Sequence, residues 1–247
     1  MRARRRGAAL VSATPGPSPA AERATLERVA ARALEVIGDA SLLGLGSGRA
    51  ARAFIRALGA QVRAGRRVRG VPTSEESASL AREFGIPLTG FDELPLEVTV
   101  DGADEVDPAL DLIKGYGGAL VRERIVAAAS RRQIILVGPE KLVPALGSRH
   151  RLPVEVLPFA LPLTLGRLRE VGCVPTVRTV DGRPFTSDNG NAIADCAIEP
   201  IGDTAAFERR IRAIPGVVDT GLFLGTADLV LVGEDGGVRE LARGARR

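Results

Sequence analysis

The sequence predicts an α/β fold in which helices cover a parallel β-sheet and a smaller α+β unit is inserted into the chain. Three observations predict it. Helix and strand patterns alternate over residues 20–147, glycine or aspartate follows several strands, and the order of elements changes after Arg151. Regular alternation of strands and helices is typical of parallel βαβ units. The 247 residues, 45% of them hydrophobic, suffice for one large or two small cores.

The first part of the chain predicts a Rossmann-like parallel-sheet domain. Its helices carry apolar residues at helical spacing, and its strands are short apolar runs bounded by glycine, proline or aspartate. The predicted helices cover residues 21–37, 49–64, 74–84 and 122–131. The predicted strands cover residues 41–45, 68–71, 86–88, 97–100 and 133–137.

The chain after Arg151 predicts a smaller α+β domain. Its strands are predicted over residues 153–156, 176–180, 191–198 and 217–224, and its helices over 163–171 and 205–214. This βαββαβ order is typical of a ferredoxin-like domain. A strand over 227–232 and a short helix over 238–241 are expected to return to the first sheet.

The predicted organisation therefore has three parts. Residues 1–20, rich in arginine, alanine, proline and serine, are expected to form a disordered N-terminal extension. Residues 21–150 and 225–247 are expected to form the Rossmann-like domain, and residues 151–224 the small α+β domain.

The distribution of charge does not favour a nucleic-acid partner, although the net charge is +4. Seven arginines lie in the terminal segments, and subtracting them leaves −3 for the rest of the chain. These seven are Arg2, Arg4, Arg5, Arg6, Arg243, Arg246 and Arg247. No apolar stretch reaches the roughly 18–20 residues of a membrane span, so no membrane partner is expected. The two cysteines, Cys173 and Cys196, lack the spacing of a zinc site or a disulfide framework, and a cytoplasmic location is expected.

A glycine-rich turn over residues 44–48 lies between a predicted strand and a predicted helix. Such a turn lets backbone N–H groups approach a phosphate at the positive end of the helix. A dinucleotide-binding turn is one alternative, but it requires an acidic residue at the end of the second strand. That strand ends at Val71-Pro72-Thr73-Ser74. The sequence therefore favours a phosphate or sugar phosphate, with a turn that binds no ligand as the other alternative.

Three carboxylates, those of Asp101, Asp104 and Glu105, follow directly on a predicted strand. Ligands of parallel α/β sheets bind at this carboxyl edge. Like charges held close together require a cation, a proton or substrate hydroxyls to offset their repulsion. A metal site is one alternative, although no ligand set supports it and none is expected; an acidic loop that begins a helix is the other.

Lysine is rare in this chain, since only Lys114 and Lys141 among 34 basic residues are not arginine. Their loop-like positions indicate sites that need a compact ammonium group rather than a planar guanidinium. Chance retention is the alternative. Glu123 lies in the first turn of a predicted helix, where a glutamate is usually solvated. Its proximity to the glycine-rich segment over residues 115–118 nevertheless favours a catalytic role.

Several of these segments resemble the A-type ribose-5-phosphate isomerases, and the resemblance extends over residues 21–238. The segments that carry it are Asp101-Gly-Ala-Asp-Glu, Leu112-Ile-Lys-Gly, Gly117-Gly-Ala-Leu-Val-Arg-Glu, Pro153-Val-Glu-Val, Asp188-Asn-Gly-Asn and Pro215-Gly-Val-Val-Asp-Thr-Gly-Leu-Phe. The resemblance implies an enzyme of the pentose phosphate pathway that interconverts ribose 5-phosphate and ribulose 5-phosphate without cofactor or metal. It also implies a homodimer or homotetramer.

The resemblance assigns roles to individual positions. It implies that Glu123 accepts the proton and that Asp101, Asp104 and Lys114 complete the catalytic set. It implies substrate contacts at Gly46, Ser47, Gly48, Arg49, Ala50, Gly102, Ala103, Gly115, Tyr116, Gly117 and Lys141. The family's phosphate loop usually reads Gly-Thr-Gly-Ser-Thr, so an arginine and a methyl replace two hydroxyls at residues 49 and 50.

The chemistry suits these groups. Moving a proton between C1 and C2 of a sugar requires one base that takes and returns it, and Glu123 fits. Lys114 and glycine N–H groups are expected to stabilise the enediolate oxygen, and Asp101 or Asp104 to open the sugar ring. Arg49 is expected to contact the phosphate, because a guanidinium at a helix start is unfavourable without an anion beside it. The alternative is that Arg49 points into solvent and backbone N–H groups hold the phosphate.

Two other functions are alternatives to isomerisation. A sugar-phosphate-binding regulator should carry a helix-turn-helix ahead of the domain, and the first twenty residues are not expected to form one. A nicotinamide-dependent oxidoreductase is weakened by the missing acidic residue.

Overall fold

A computed structural model describes residues 18–244 of the chain. The first helix begins at Pro19 and is capped by Ser18, whose side chain accepts from the N–H of Ala21. It therefore begins two residues earlier than predicted, because proline is well suited to the first helical position. The rest of the predicted N-terminal extension, residues 1–17, lies outside the described residues.

Residues 18–244 contain six α-helices and fifteen strands. In chain order they are α1 (Pro19–Ile37), β1 (Leu42–Leu45), α2 (Gly48–Arg63), β2 (Arg69–Pro72), α3 (Glu75–Glu83), β3 (Val98–Gly102), β4 (Glu105–Val106), β5 (Leu112–Ile113), α4 (Leu120–Ala128), β6 (Gln133–Val137), β7 (Leu152–Val156), α5 (Leu161–Glu170), β8 (Val174–Val177), β9 (Thr179–Val180), β10 (Arg183–Pro184), β11 (Ala192–Ala197), α6 (Thr204–Arg212), β12 (Val217–Thr220), β13 (Leu222–Phe223), β14 (Leu229–Glu234) and β15 (Gly237–Ala242). None of the helices in this part of the chain is both long and apolar enough to cross a membrane.

The main sheet has six strands in the order β15-β14-β6-β3-β1-β2, and all neighbours are parallel except β14 and β15. This arrangement confirms the predicted Rossmann-like sheet. Helices α1 and α2 pack on each other and against it, burying Val29, Phe54 and Leu58 with Leu45 and Leu231 of the strands. The apolar spacing that predicted these helices is the pattern of residues that they bury.

The site lies where the connections between neighbouring parallel strands lead to opposite sides of the sheet. The connection from β1 through α2 leads to β2 on one side, whereas the connection from β3 through α4 leads to β6 on the other. Loops that follow two adjacent strands with diverging connections separate and leave a crevice at the carboxyl edge. The crevice here lies between the loops after β1 and β3.

The inserted unit has its own antiparallel sheet in the order β12-β7-β11-β8, with α5 and α6. Its βαββαβ order confirms the predicted ferredoxin-like α+β class. A separate core forms between this sheet and the two helices, where Leu168 and Ile211 pack with Val154, Val156 and Ala194. The other face of β7 carries Pro153 and Glu155.

Two small sheets were not predicted. Strands β13, β5 and β4 form an antiparallel sheet that joins the two units, and β9 and β10 form a hairpin. Each strand here has only two residues. A strand this short has no measurable alternation in sequence, so its pairing depends on tertiary contacts.

Two sequence-based predictions were wrong. Residues 238–241 are not a short helix but part of β15, which pairs antiparallel with β14 across Asp235-Gly236, a dipeptide typical of hairpin turns. Residues 86–88 form no strand and contribute one isolated bridge, Gly70 to Leu88. Arg243, one of the seven terminal arginines, donates to the carbonyls of Ala227 and Leu110.

Candidate active site

A cavity of about 410 Å³ opens at the crevice. It is formed by the loops after β1, β3 and β6, by the first turns of α1 and α2, and by the turn after β14. Of the residues predicted to bind substrate, it is lined by Ser47, Gly48, Arg49, Ala50, Gly102, Ala103 and Lys141. Loops from three neighbouring strands therefore converge on one cavity, whereas Asp101, Lys114 and Glu123 are not among its lining residues.

Asp101 lies at the end of β3 and is fully buried. Its Oδ1 accepts from the N–H of Ser47 at 3.0 Å and from the N–H of Gly102 at 2.8 Å. The backbone of Gly46 is so close that a Cβ there would lie 2.2 Å from Oδ1 of Asp101. Glycine is required at position 46 because the carboxylate occupies the space of a side chain.

Lys114 follows β5 and is also buried. Its Nζ lies 2.9 Å from Oδ2 of Asp101 and 3.4 Å from Oε2 of Glu123, and it donates to the carbonyl of Gly102 at 2.6 Å. The ring of Phe223 lies beneath, with Nζ 5.4 Å from its centroid. Burial lowers the pKa of Lys114, but the carboxylates of Asp101 and Glu123 outweigh it and raise the pKa above its ordinary value. Lys114 is therefore a fixed positive charge.

Glu123 lies in the first turn of α4 and is buried, unlike most glutamates at helix starts. Burial raises its pKa to about 8, and the negative charges of Asp101 and Asp104 add to the rise while Lys114 opposes it. Apart from the ion contact with Lys114, its Oε2 has no hydrogen-bond partner among residues 18–244. A carboxyl with these properties is a strong candidate for general acid–base chemistry.

Asp104 contacts the loop over residues 115–118, which follows Lys114. The Oδ2 of Asp104 accepts from the N–H of Tyr116 at 3.1 Å. Burial raises the pKa of Asp104, partly offset by this N–H and by the positive charge of Lys114. Gly115 adopts a φ of +105°, which an L side chain rarely adopts, and begins a turn closed by the N–H of Gly118.

Tyr116 and Gly117 lie at the open tip of this turn. Tyr116 is 47% exposed, and a Cβ at Gly117 would contact no other atom within 4 Å. Arg178 of the inserted unit donates to the carbonyls of Gly115 and Tyr116. The inserted unit therefore contributes directly to the shape of the loop over residues 115–118.

The start of α2 has the features of a phosphate site. Gly48 has a φ of +81° and begins the helix, and no side chain caps it. The first N–H groups of an α-helix have no intrahelical acceptor, so those of Gly48, Arg49 and Ala50 are available to an anion in the cavity. The N–H of Ser47 is not available, because Asp101 accepts from it.

The hydroxyl of Ser47 is part of a buried hydroxyl cluster, defined as Ser47, Thr73, Ser74 and Ser77. Ser47 Oγ lies 2.7 Å from Oγ1 of Thr73 and donates to Oγ of Ser74 at 2.9 Å. Ser77 Oγ donates to the carbonyl of Gly46 at 2.6 Å. It was not predicted from the sequence that these hydroxyls contact Ser47. The position of Thr73-Ser74 directly after β2 was the signal that could have indicated it.

Arg49 lines the cavity, but its guanidinium is paired within the protein. It forms an ion pair with the carboxylate of Glu22 on α1, and more than half of the Arg49 side chain is exposed. An arginine at a helix start is favourable only beside an anion, and Glu22 is such an anion. Ala50 is buried at the cavity wall with its methyl group.

Lys141 lies at the other side of the cavity, in a short 3₁₀ turn after β6. Its positive charge is close enough to lower the pKa of Asp104 and that of His150. Burial is the larger cause of the low His150 pKa. Among residues 18–244, no three His, Cys, Asp or Glu side chains are grouped to hold a metal ion.

The structure thus brings Asp101, Lys114 and Glu123 into contact, with Asp104 and Lys141 within electrostatic range. The fold and the site define a class: α/β proteins with a buried acid–base cluster beside an anion-binding helix start, as in enzymes that move protons on phosphorylated substrates. Comparisons with known proteins give the family. The family description "Ribose 5-phosphate isomerase A (phosphoriboisomerase A)" matches residues 69–237.

Curated relatives cover almost the whole chain. The ribose-5-phosphate isomerase A of Roseiflexus castenholzii is 48% identical over 218 residues, covering 87% of this chain and 93% of that protein. The enzyme of the same name from Parvibaculum lavamentivorans is 50% identical over 216 residues, covering 84% and 93%. The chain belongs to the ribose 5-phosphate isomerase A family.

Solved structures agree with this membership. Ribose 5-phosphate isomerase A from Methanocaldococcus jannaschii superimposes with a TM-score of 0.85 at 39% identity, covering 90% of this chain and 99% of that one. A D-ribose-5-phosphate isomerase in complex with phospho-erythronic acid gives 0.85 at 37% identity, covering 89% and 98%.

Proposed function

We propose that this chain interconverts D-ribose 5-phosphate and D-ribulose 5-phosphate through an enediolate, without a metal ion or cofactor. The observation that carries the proposal is the buried Glu123 carboxyl in contact with Lys114, in a cluster that Asp101 connects to the start of α2 through the N–H of Ser47. Family membership supports the substrate. In the proposed reaction Glu123 takes the proton from C2 of the aldose and returns it to C1, while a second proton moves from the C2 oxygen to the C1 oxygen.

Lys114 is the proposed electrostatic partner of the enediolate. An ammonium group has three donors, and here they face Asp101, the carbonyl of Gly102 and Glu123. The contact with Glu123 is the longest, at 3.4 Å. A substrate oxygen can replace it, so that Lys114 donates to the oxygen while Glu123 is released to take the proton. One such donor lowers a barrier by about 3–4 kcal/mol.

Asp104 is the proposed ring-opening group, because its raised pKa favours a carboxyl that can both give and take a proton. Asp101 is less suited, since Ser47, Gly102 and Lys114 already use its two oxygens. Its proposed role is to hold the backbone of Ser47, in the phosphate loop over residues 46–50, and the ammonium group of Lys114 in place. The phosphate is proposed to bind the N–H groups of residues 48–50, opposite Lys141.

The ligand of one relative is consistent with this chemistry. Phospho-erythronic acid, bound in a protein 37% identical to this chain, combines a phosphate with a carboxylate. A carboxylate is planar and negatively charged, as an enediolate is. The same two groups fit a site in which an anion-binding helix start lies beside the Lys114 ammonium.

The test is an assay of ribose 5-phosphate isomerisation in the presence of EDTA, with Glu123→Gln beside the wild-type chain. The amide keeps the shape of the side chain and loses only the base, so kcat should fall by at least about a hundredfold with KM within about tenfold. A regulator that only binds sugar phosphates would bind ribose 5-phosphate and turn over none. Activity that is lost in EDTA and restored by Mg²⁺ would contradict the metal-free mechanism.

The chain is further proposed to act in the cytoplasm as a homodimer or homotetramer. Apolar side chains of the inserted unit support association, since Phe159 is wholly exposed and Leu157, Leu163 and Val218 are partly so. Exposed apolar groups of this kind are typical of protein interfaces. Light scattering coupled to gel filtration measures the mass, and Phe159→Glu should shift it towards the monomer.

A further inference from the structure

The catalytic helix α4 is held by the inserted unit at both residues that flank Glu123. Arg122 and Arg124 stand on either side of Glu123 in sequence, and both guanidinium groups bind residues between β10 and β13. No part of the mechanism above uses either arginine. The placement of Arg122 requires an explanation, because a positive charge in the first turn of a helix is unfavourable to the helix dipole.

Arg122 binds the turn over residues 187–191. Its Nε donates to Oδ1 of Asn189 at 3.0 Å, its Nη2 donates to the carbonyl of Asp188 at 2.9 Å, and its Nη1 donates to Glu75 at 2.8 Å. The carboxylate of Asp188 in turn accepts from the N–H of Glu75 at the start of α3. This turn therefore connects the inserted unit to two helices of the main domain.

A buried carboxylate fixes the turn from the other side. Glu155 on β7 is fully buried, and its Oε1 accepts from Ser187 Oγ, Asn189 Nδ2 and Asn191 Nδ2 at 2.8–3.1 Å. The side-chain amide of Asn189 is thus held at both ends, by Glu155 at its nitrogen and by Arg122 at its oxygen. Because both ends of the Asn189 side chain are bonded, it connects the position of Arg122 to that of Glu155.

Arg124 binds the opposite side of the inserted unit. Its Nε donates to Oδ2 of Asp219, its Nη2 donates to the carbonyls of Thr220 and Leu222, and its guanidinium lies 4.4 Å from the centroid of the Phe223 ring. The same ring lies beneath Lys114. The contacts of Arg122 and those of Arg124 together hold the start of α4 against the inserted unit.

We propose that Arg122 and Arg124 are positioning residues through which the inserted unit holds the Glu123 carboxylate at the substrate. The proposal rests on Glu123 being the base. Catalysis by a side chain is sensitive to displacements of about 1 Å, because proton transfer requires a near-attack geometry. A loosened turn also admits water to Glu123, which removes the cause of its raised pKa.

The test compares Arg122→Met and Asn189→Ala with the double variant. Each single variant should lower kcat by roughly tenfold and leave KM within about twofold, since neither residue lines the cavity. The value of kcat/KM is expected to fall at acid pH as Glu123 is protonated, and this acid limb of the pH profile should move to lower pH in both variants. Because the two residues act through one contact, the double variant should be no slower than the slower single variant.

Arg167→Met serves as the control. It removes an exposed arginine of the inserted unit that pairs with Glu170. It should keep kcat and the acid limb. Arg124→Met should repeat the Arg122→Met result; if it does not fold, the partly exposed Arg122 and Asn189 variants still decide.

The proposal is overturned if both single variants keep kcat within twofold, or if kcat falls while the acid limb stays in place. The second result would assign the turn a structural role only. Failure of the proposed base is distinguishable, because Glu123→Gln would then retain activity whatever the Arg122 and Asn189 variants do.

Discussion

Nζ of Lys114 lies 3.4 Å from Oε2 of Glu123, and neither group is open to bulk water. The pair is asymmetric, because Asp101 and the carbonyl of Gly102 hold the ammonium more closely than Glu123 does. Lysine thus stays charged whether or not Glu123 is protonated. Glu123 alone is the group of the pair whose proton can come and go near neutral pH.

This asymmetry predicts the pH dependence of the reaction. Glu123 acts as a base only when ionised, and burial raises its pKa to about 8. The value of kcat/KM should therefore fall on the acid side of about pH 8, approaching tenfold for each pH unit. Rates for ribose 5-phosphate between pH 6.5 and 9.5 measure the midpoint.

Asp104→Asn provides the matched control for that midpoint. The charge of Asp104 raises the pKa of Glu123, so its removal should move the acid limb to lower pH even where it also slows the reaction. A midpoint near the pKa of an ordinary glutamate would show that burial does not raise the pKa of Glu123. A midpoint that Asp104→Asn moves to higher pH would show that Glu123 does not control the rate.

The sequence predicted much of the site because its main residues follow strand ends. Asp101 and the turn over residues 44–48 each come directly after a strand of one parallel sheet, and carboxyl ends of neighbouring strands share an edge. The scarcity of lysine marked Lys114 and Lys141. The structure places both of them at the site.

The rest depends on contacts between residues far apart in the chain. That Oδ1 of Asp101 binds the N–H of Ser47 follows from the register of β1 and β3, which no local pattern contains. The bond between Arg122 and Asn189 depends on how the inserted unit packs on α4. The pairing of Arg49 with Glu22 depends on how α1 crosses α2.

Removing the buried ammonium should cost stability as well as activity. In Lys114→Met, the carboxylates of Asp101 and Glu123 lose their counter-charge inside the protein, and breaking a buried pair in this way costs about 3–5 kcal/mol. The loss should be smaller at pH 5.5 than at pH 8, because protonation of the unpaired carboxylates relieves it. Urea unfolding at both pH values measures it.

Arg167→Met is the control for Lys114→Met. It also removes one member of an ion pair, but both side chains are more than half exposed, and such pairs contribute at most about 1 kcal/mol. Equal losses of stability in the two variants, or a Lys114→Met loss that grows as the pH falls, would contradict the proposed charge arrangement.

The buried hydroxyl cluster should act on substrate binding through the phosphate loop. Ser77→Ala removes the donor to the carbonyl of Gly46 and leaves that acceptor unpaired beside the loop, at a cost of about 1–3 kcal/mol. KM for ribose 5-phosphate should rise several-fold while kcat stays within about twofold, because the loop binds the phosphate and not the reacting carbons.

Ser148→Ala is the matched control for Ser77→Ala. Ser148 also donates to a backbone carbonyl, that of Ala145 at 2.6 Å, but at an exposed position away from the cavity. Its KM and stability should stay close to those of the wild-type chain. A normal KM in Ser77→Ala would mean that the hydroxyl cluster does not shape the phosphate loop.

Arg49 should contribute little to phosphate binding, because its guanidinium is paired with Glu22 and largely exposed. In Arg49→Ala, KM for ribose 5-phosphate should rise less than about threefold, the change expected when a screened charge near the site is lost. Arg52→Ala, on the same helix and paired with Glu76, is the control. KM measured at low and high salt decides: a rise of tenfold or more at low salt that shrinks at high salt would show that Arg49 leaves Glu22 for the phosphate. A small, equal effect in both variants means that the N–H groups of residues 48–50 hold the phosphate without it.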